Sequence, residues 1–140
     1  MNNEKKAEKA YWEAFNGINI KKNEQIVLEC KTNLSYYFSR NVSGADIKAH
    51  EQIILNLKDP EYCCLFTKDV SGADIKAHEQ VILEIKDPQY SYWFAKHIPG
   101  ANIEEHFKVV LNSGSKFWLD MFTNYVNYKG TKVEEWLLYI

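Results

Sequence analysis

Val42-Ser-Gly-Ala-Asp-Ile-Lys-Ala-His-Glu-Gln52 recurs letter for letter as Val70-Ser-Gly-Ala-Asp-Ile-Lys-Ala-His-Glu-Gln80. Aligned in full, residues 42–69 and 70–97 share 19 identities in 28 positions. A diverged third copy, Ile98-Pro-Gly-Ala-Asn-Ile-Glu-Glu-His-Phe-Lys108, begins 28 residues further on. Weaker copies flank these. Gly17-Ile-Asn-Ile-Lys-Lys-Asn-Glu-Gln25 stands 27 residues ahead of residues 44–52, and Gly130-Thr-Lys-Val-Glu-Glu-Trp136 stands 30 residues after residues 100–106. Gly17, Gly44, Gly72, Gly100 and Gly130 therefore mark the starts of successive units. A fixed period of this length is the mark of a stacked array, because a unit this small cannot bury its apolar face alone. The uneven spacings put a missing residue near Lys31-Thr32 and two extra residues near Asn127 to Lys129. Both are expected between helices, where changes of length are tolerated.

Each copy predicts two short helices. The first opens behind Asp46, Asp74 or Asn102, whose side chains suit a helix N-cap, and carries Ile47, Ile54 and Leu57 on one face. Asn102-Ile-Glu-Glu105 and Thr131-Lys-Val-Glu134 approach the capping-box pattern. The second helix starts at Asp59-Pro60 or Asp87-Pro88, with Asp as cap and Pro in the first position, where no N–H is needed. Its expected buried stripe is Tyr62, Leu65, Phe66 and Val70, repeated as Tyr90, Trp93, Phe94 and Ile98. The upstream equivalents are Leu34, Tyr37, Phe38 and Val42, and the downstream ones Trp118, Met121, Phe122 and Val126. Residues 3–16, with Ala7, Tyr11, Ala14 and Phe15 at helical spacing, predict a leading helix that caps the stack. The expected fold is all-α: a single domain over residues 1–140, built as a short right-handed α-solenoid of about five two-helix repeats, about ten helices.

The period, the Asp-Pro helix start and the glycine-led cap of the following helix resemble α-helical tandem-repeat proteins, in kind the HEAT-like and leucine-rich-repeat-variant arrays. The recurring Asp-Pro-x-Tyr…Phe-Ala…Gly-Ala-Asn/Asp-Ile pattern is similar to repeats in uncharacterised bacterial and phage proteins. The resemblance implies a solenoid whose function lies in a binding surface, and it carries over no functional residue.

Composition narrows the partners. The chain has 140 residues, 46% hydrophobic and 14% aromatic, enough for a packed core, and 17 basic against 19 acidic residues leave a net charge of −2. That balance supplies no field for drawing in nucleic acid or an anionic membrane. No apolar run approaches about 18 residues, so the expected setting is the cytoplasm, without a membrane. Cys30, Cys63 and Cys64 are odd in number and match no zinc spacing or disulfide framework.

Three sets of residues invite a functional reading. His50, His78 and His106 recur at one repeat position, yet successive helices pack about 8–10 Å apart whereas zinc holds nitrogen at about 2 Å, so a structural ladder is expected and no metal. His97 falls outside this register and is expected at the surface. The lysines at 21, 48 and 76 could track phosphates, but Glu51 and Glu79 recur beside them and Arg40 is the lone arginine, which disfavours nucleic-acid recognition. Tyr36 and Tyr92 stand opposite the apolar stripe of the second helix, where exposed aromatics would serve as anchors. No glycine-rich phosphate loop, nucleophile triad or paired carboxylate is present, so no catalytic residue, cofactor or metal is expected. The expected function is a non-enzymatic protein-binding module using Tyr36, Lys48, Lys76 and Tyr92. The alternatives are a phage or mobile-element inhibitor of a host protein, such as a defence component, and a nucleic-acid-binding helical repeat. The apolar C-terminus, Trp136-Leu-Leu-Tyr-Ile140, adds the expectation of a homodimer through that end.

Overall fold

The computed structural model describes residues 2–129, and among these it holds nine helices and no strand. The chain divides into two compact units, Met1–Asp74 and Ile75–Ile140. The first holds α1 (Asn3–Phe15), α2 (Ile20–Cys30), α3 (Leu34–Asn41), α4 (Ile47–Leu57) and α5 (Pro60–Asp69). The second holds α6 (Ile75–Ile85), α7 (Pro88–His97), α8 (Ile103–Asn112) and α9 (Lys116–Tyr128). The unit expected from Gly130, its capping pattern at 131–134 and the apolar C-terminus lie outside the described residues. None of the described helices is long and apolar enough to cross a membrane.

Local chemistry sets most boundaries. Asp46 caps α4 by accepting from the Ala49 N–H at 3.2 Å, and Asn102 caps α8 by accepting from the Glu105 N–H at 3.2 Å. Asp59 and Asp87 cap α5 and α7, accepting from the Glu61 and Gln89 N–H groups at 3.0 and 2.9 Å, with Pro60 and Pro88 in the first helical position. Gly44 and Gly72, at φ +79° and +84°, make the left-handed turns that lead into the next Asp. The missing residue near Lys31 does fall between α2 and α3. The two extra residues near Asn127 do not fall in a loop: α9 continues to Tyr128, so they lengthen a helix.

The buried side of α3, α5 and α7 is rotated away from the stripe of large side chains. Phe38, Phe66 and Phe94 are fully buried, and Val42, Val70 and Ile98 nearly so, as expected. The deepest position beside them, however, is small: Ser35, Cys63 and Ser91 are each 0% exposed. In the first unit the Ser35 hydroxyl reaches His50 on α4, and the Cys63 thiol lies against the Ile54 carbonyl of α4. A short side chain at the closest approach pushes bulky neighbours to the flanks. Leu34, Tyr37, Tyr62, Leu65, Tyr90, Trp93 and Trp118 are consequently half-buried, and Met121 is exposed.

The opposite flank is covered, which corrects the expectation for two tyrosines. Tyr36 is 2% exposed, with Tyr62 edge-on at 5.8 Å and its hydroxyl donating to the Asp69 carboxylate. Tyr92 is 8% exposed, packed on Trp118, Phe122 and Tyr125. Two residues expected in the packed face lie outside it, Phe15 at 49% and Leu57 at 42% exposure. The core of the first unit gathers Ala10, Tyr11, Ala14, Val27, Phe38 and Val42, and that of the second Tyr92, Ala95, Phe107, Val110, Phe122 and Val126.

Candidate functional site

Two of the recurring histidines, His50 and His106, are held in a structural clamp. Oε2 of Glu24 accepts from Nε2 of His50 at 3.0 Å and from the backbone N–H of Asp46, the cap of α4, at 2.7 Å. In the second unit Oε2 of Glu79 accepts from His106 Nε2 at 3.0 Å and from the Asn102 N–H at 2.7 Å. Glu51 likewise accepts from the Asp74 N–H at 2.7 Å. One carboxylate oxygen thus fixes both a buried ring and the start of a helix. Burial holds His50 and His106 below the ordinary histidine range, outweighing the bond and charge of their glutamates, so each ring is neutral at pH 7 and donates from Nε2. Nδ1 of His50 accepts from the Ser35 hydroxyl at 2.9 Å. Nδ1 of His106 and the Ser91 hydroxyl have no partner among the described residues.

Among the described residues no group of three or more His, Cys, Asp or Glu side chains could hold a metal ion. Burial pushes the Cys63 thiol up to about 12 and the Cys64 thiol higher still, so neither is a nucleophilic thiolate at neutral pH. Glu51 and Glu79 face inward, 7% and 9% exposed. Lys48 and Lys76 are exposed, as is His97. Of the four residues expected to bind a partner, only these two lysines reach the surface, since Tyr36 and Tyr92 are core.

The aromatic surface lies elsewhere, in a groove of about 820 Å³ within the first unit, between α1 and the face of α3 and α5. Tyr11 anchors one wall: it is 5% exposed, and its hydroxyl accepts from Asn41 Nδ2 at 2.9 Å. Beside it Trp12 is 51% exposed, its ring 5.0 Å from that of Tyr11. Tyr37 lies 6.4 Å from Tyr11, and Tyr62 stands edge-on to Tyr37 at 6.2 Å. A hydrogen bond with Tyr37, together with burial, pushes the Tyr62 hydroxyl up to about 12, so it stays protonated. Leu34 and Leu57 complete the apolar lining, and Glu4 and Glu8 line the α1 side. Asn33 also borders the groove, and its carboxamide oxygen is buried with no partner among the described residues. A concave, largely apolar surface with a few polar groups is the usual form of a binding site.

No protein-family profile, curated protein or solved structure matches the chain.

Sequence reasoning passed over this groove because it assigned Tyr37, Tyr62 and Leu57 to the core. One signal was legible. Trp12 sits off the Ala7, Ala10, Tyr11 and Ala14 face of α1, and a tryptophan on the polar side of an amphipathic helix has no packing task.

Proposed function

We propose that this protein is a non-enzymatic protein-binding module, a short α-solenoid of two-helix repeats that presents the flanks of its second helices to a partner. The observation that carries the reading is the groove of the first unit, where Trp12, Tyr37, Tyr62, Leu34 and Leu57 converge on one open hollow. Aromatic residues in a concave surface supply large contact area for little lost side-chain freedom. The repeat architecture is supported by the letter-for-letter copies and by the order of packing inside each unit. There α2 meets α3 and α4, α3 meets α4 and α5, and α7 meets α8 and α9.

Affinity capture with the full chain tests the reading, run in parallel with Trp12→Ala and with Lys48→Ala/Lys76→Ala. A protein retained by the wild type and the lysine variant but lost from Trp12→Ala supports the groove. An identical set of captured proteins from all three would remove it.

A further inference from the structure

The groove is charged on one side only, and this specifies what it can hold. Among the described residues its lining includes two carboxylates, Glu4 and Glu8, and no basic residue. Of the three lysines of the same helix, Lys6 and Lys9 line a separate hollow beside Lys22 on α2, and Lys5 lines neither hollow. Glu4 and Glu8 are one turn apart, a like-charge pair that disfavours the helix. Neither makes an ion pair among the described residues, whereas Glu13, further along α1, is paired with Lys9 at 4.0 Å. Glu4 gains something from its place in the first turn of α1, near the positive end of the helix dipole. Glu8 lies beyond the first turn, and it lines the groove together with four aromatic residues, Tyr11, Trp12, Tyr37 and Tyr62.

Aromatic faces carry partial negative charge and attract cations. This protein uses that contact in its second unit, where Nζ of Lys96 lies 5.6 Å from the centre of the Tyr92 ring. In the first unit the rings of Trp12 and Tyr37 and the carboxylates of Glu4 and Glu8 line the same hollow, with no cation from the described residues among them.

Resting on the protein-binding reading above, we propose that the groove takes a cationic peptide segment of a partner protein, with a lysine or arginine side chain laid over Trp12 and Tyr37 and its charge directed to Glu8 and Glu4. Apolar residues flanking the cation pack on Leu34, Leu57 and Tyr62. A nucleic acid would bring its phosphates against the two carboxylates and is disfavoured by the same charges.

The test selects a displayed library of random short peptides against the full chain, then measures affinity for one synthetic enriched peptide and for its analogue with norleucine in place of lysine or arginine. Enrichment of basic peptides is expected, with affinity falling as salt rises. Affinity should drop about tenfold for the norleucine analogue and about tenfold for Trp12→Ala. Glu8→Gln should lose about threefold, with circular dichroism unchanged in both variants. Enrichment of acidic or purely apolar peptides, or equal binding of the norleucine analogue, overturns the cationic occupant and leaves a protein-binding groove standing. If no peptide distinguishes the wild type from Trp12→Ala, both readings fall. Self-association of the chain that Trp12→Ala abolishes would assign the groove to a second copy and overturn this proposal.

Discussion

Ser35 and Ser91 occupy the same position of the sequence repeat and are both 0% exposed, yet only Ser35 closes a hydrogen bond to its histidine. Removing one partner of a buried bond leaves the other unsatisfied at a cost of about 1–3 kcal/mol, whereas deleting an unpartnered hydroxyl breaks nothing. Ser35→Ala should therefore destabilise the protein by that amount, and Ser91→Ala should change stability by less than about 0.5 kcal/mol. Urea unfolding followed by circular dichroism measures both, and equal losses would contradict the contrast. The structural role of the histidines was legible from their helical face and period, but their glutamate partners were not. The bonds run from Glu24 to His50 and from Glu79 to His106, separations of 26 and 27 residues. A helical wheel places a side chain on a face; it does not say which other copy supplies the partner.

At the scale of the helix, starts were more legible than ends. Asp-Pro and Asp or Asn caps predict the first turns of α4, α5, α7 and α8 because the orphan N–H groups of a helix start need an acceptor close in sequence. The ends of α2 and α4 fall at Lys31 and Lys58, held at φ +53° and +52°, and Lys86 follows α6 at φ +60°. The structure gives these lysines a backbone task for which glycine is better suited. Lys58→Gly should relieve the left-handed strain and stabilise by about 1 kcal/mol, read as a higher urea midpoint with an unchanged slope. A lower midpoint would mean that the Lys58 side chain contributes more than its backbone costs. The faces of α3, α5 and α7 were misread for a related reason. Large apolar letters dominate a hydrophobic pattern, while the position of closest packing is occupied by Ser or Cys, so the stripe was centred on the wrong flank and Tyr36 and Tyr62 exchanged roles.

For the molecule as a whole, the helical class and the repeat period were legible in two exact eleven-residue copies, and the division into two compact units was not. The repeat is continuous in sequence across Asp74, so nothing in its letters marks that boundary. The leading helix α1 is the part whose removal tests how the first unit is built. It covers Val27 and Phe38, both 0% exposed, through Ala10, Tyr11 and Ala14. A chain lacking residues 2–15 should lose more helical signal than the 13 residues of α1 account for, and should aggregate through the uncovered side. Loss of that share alone, with cooperative unfolding retained, would show that α2 to α5 stand without it. The glutamate clamp has a different consequence for how such a chain changes over generations. Three copies carry the oxygen that receives the opening N–H of the copy after them: Glu24 for Asp46, Glu51 for Asp74 and Glu79 for Asn102. A gene that gains or loses one glutamate-bearing 28-residue copy therefore leaves no acceptor stranded, and the number of copies becomes a trait that can drift while each such joint stays chemically complete.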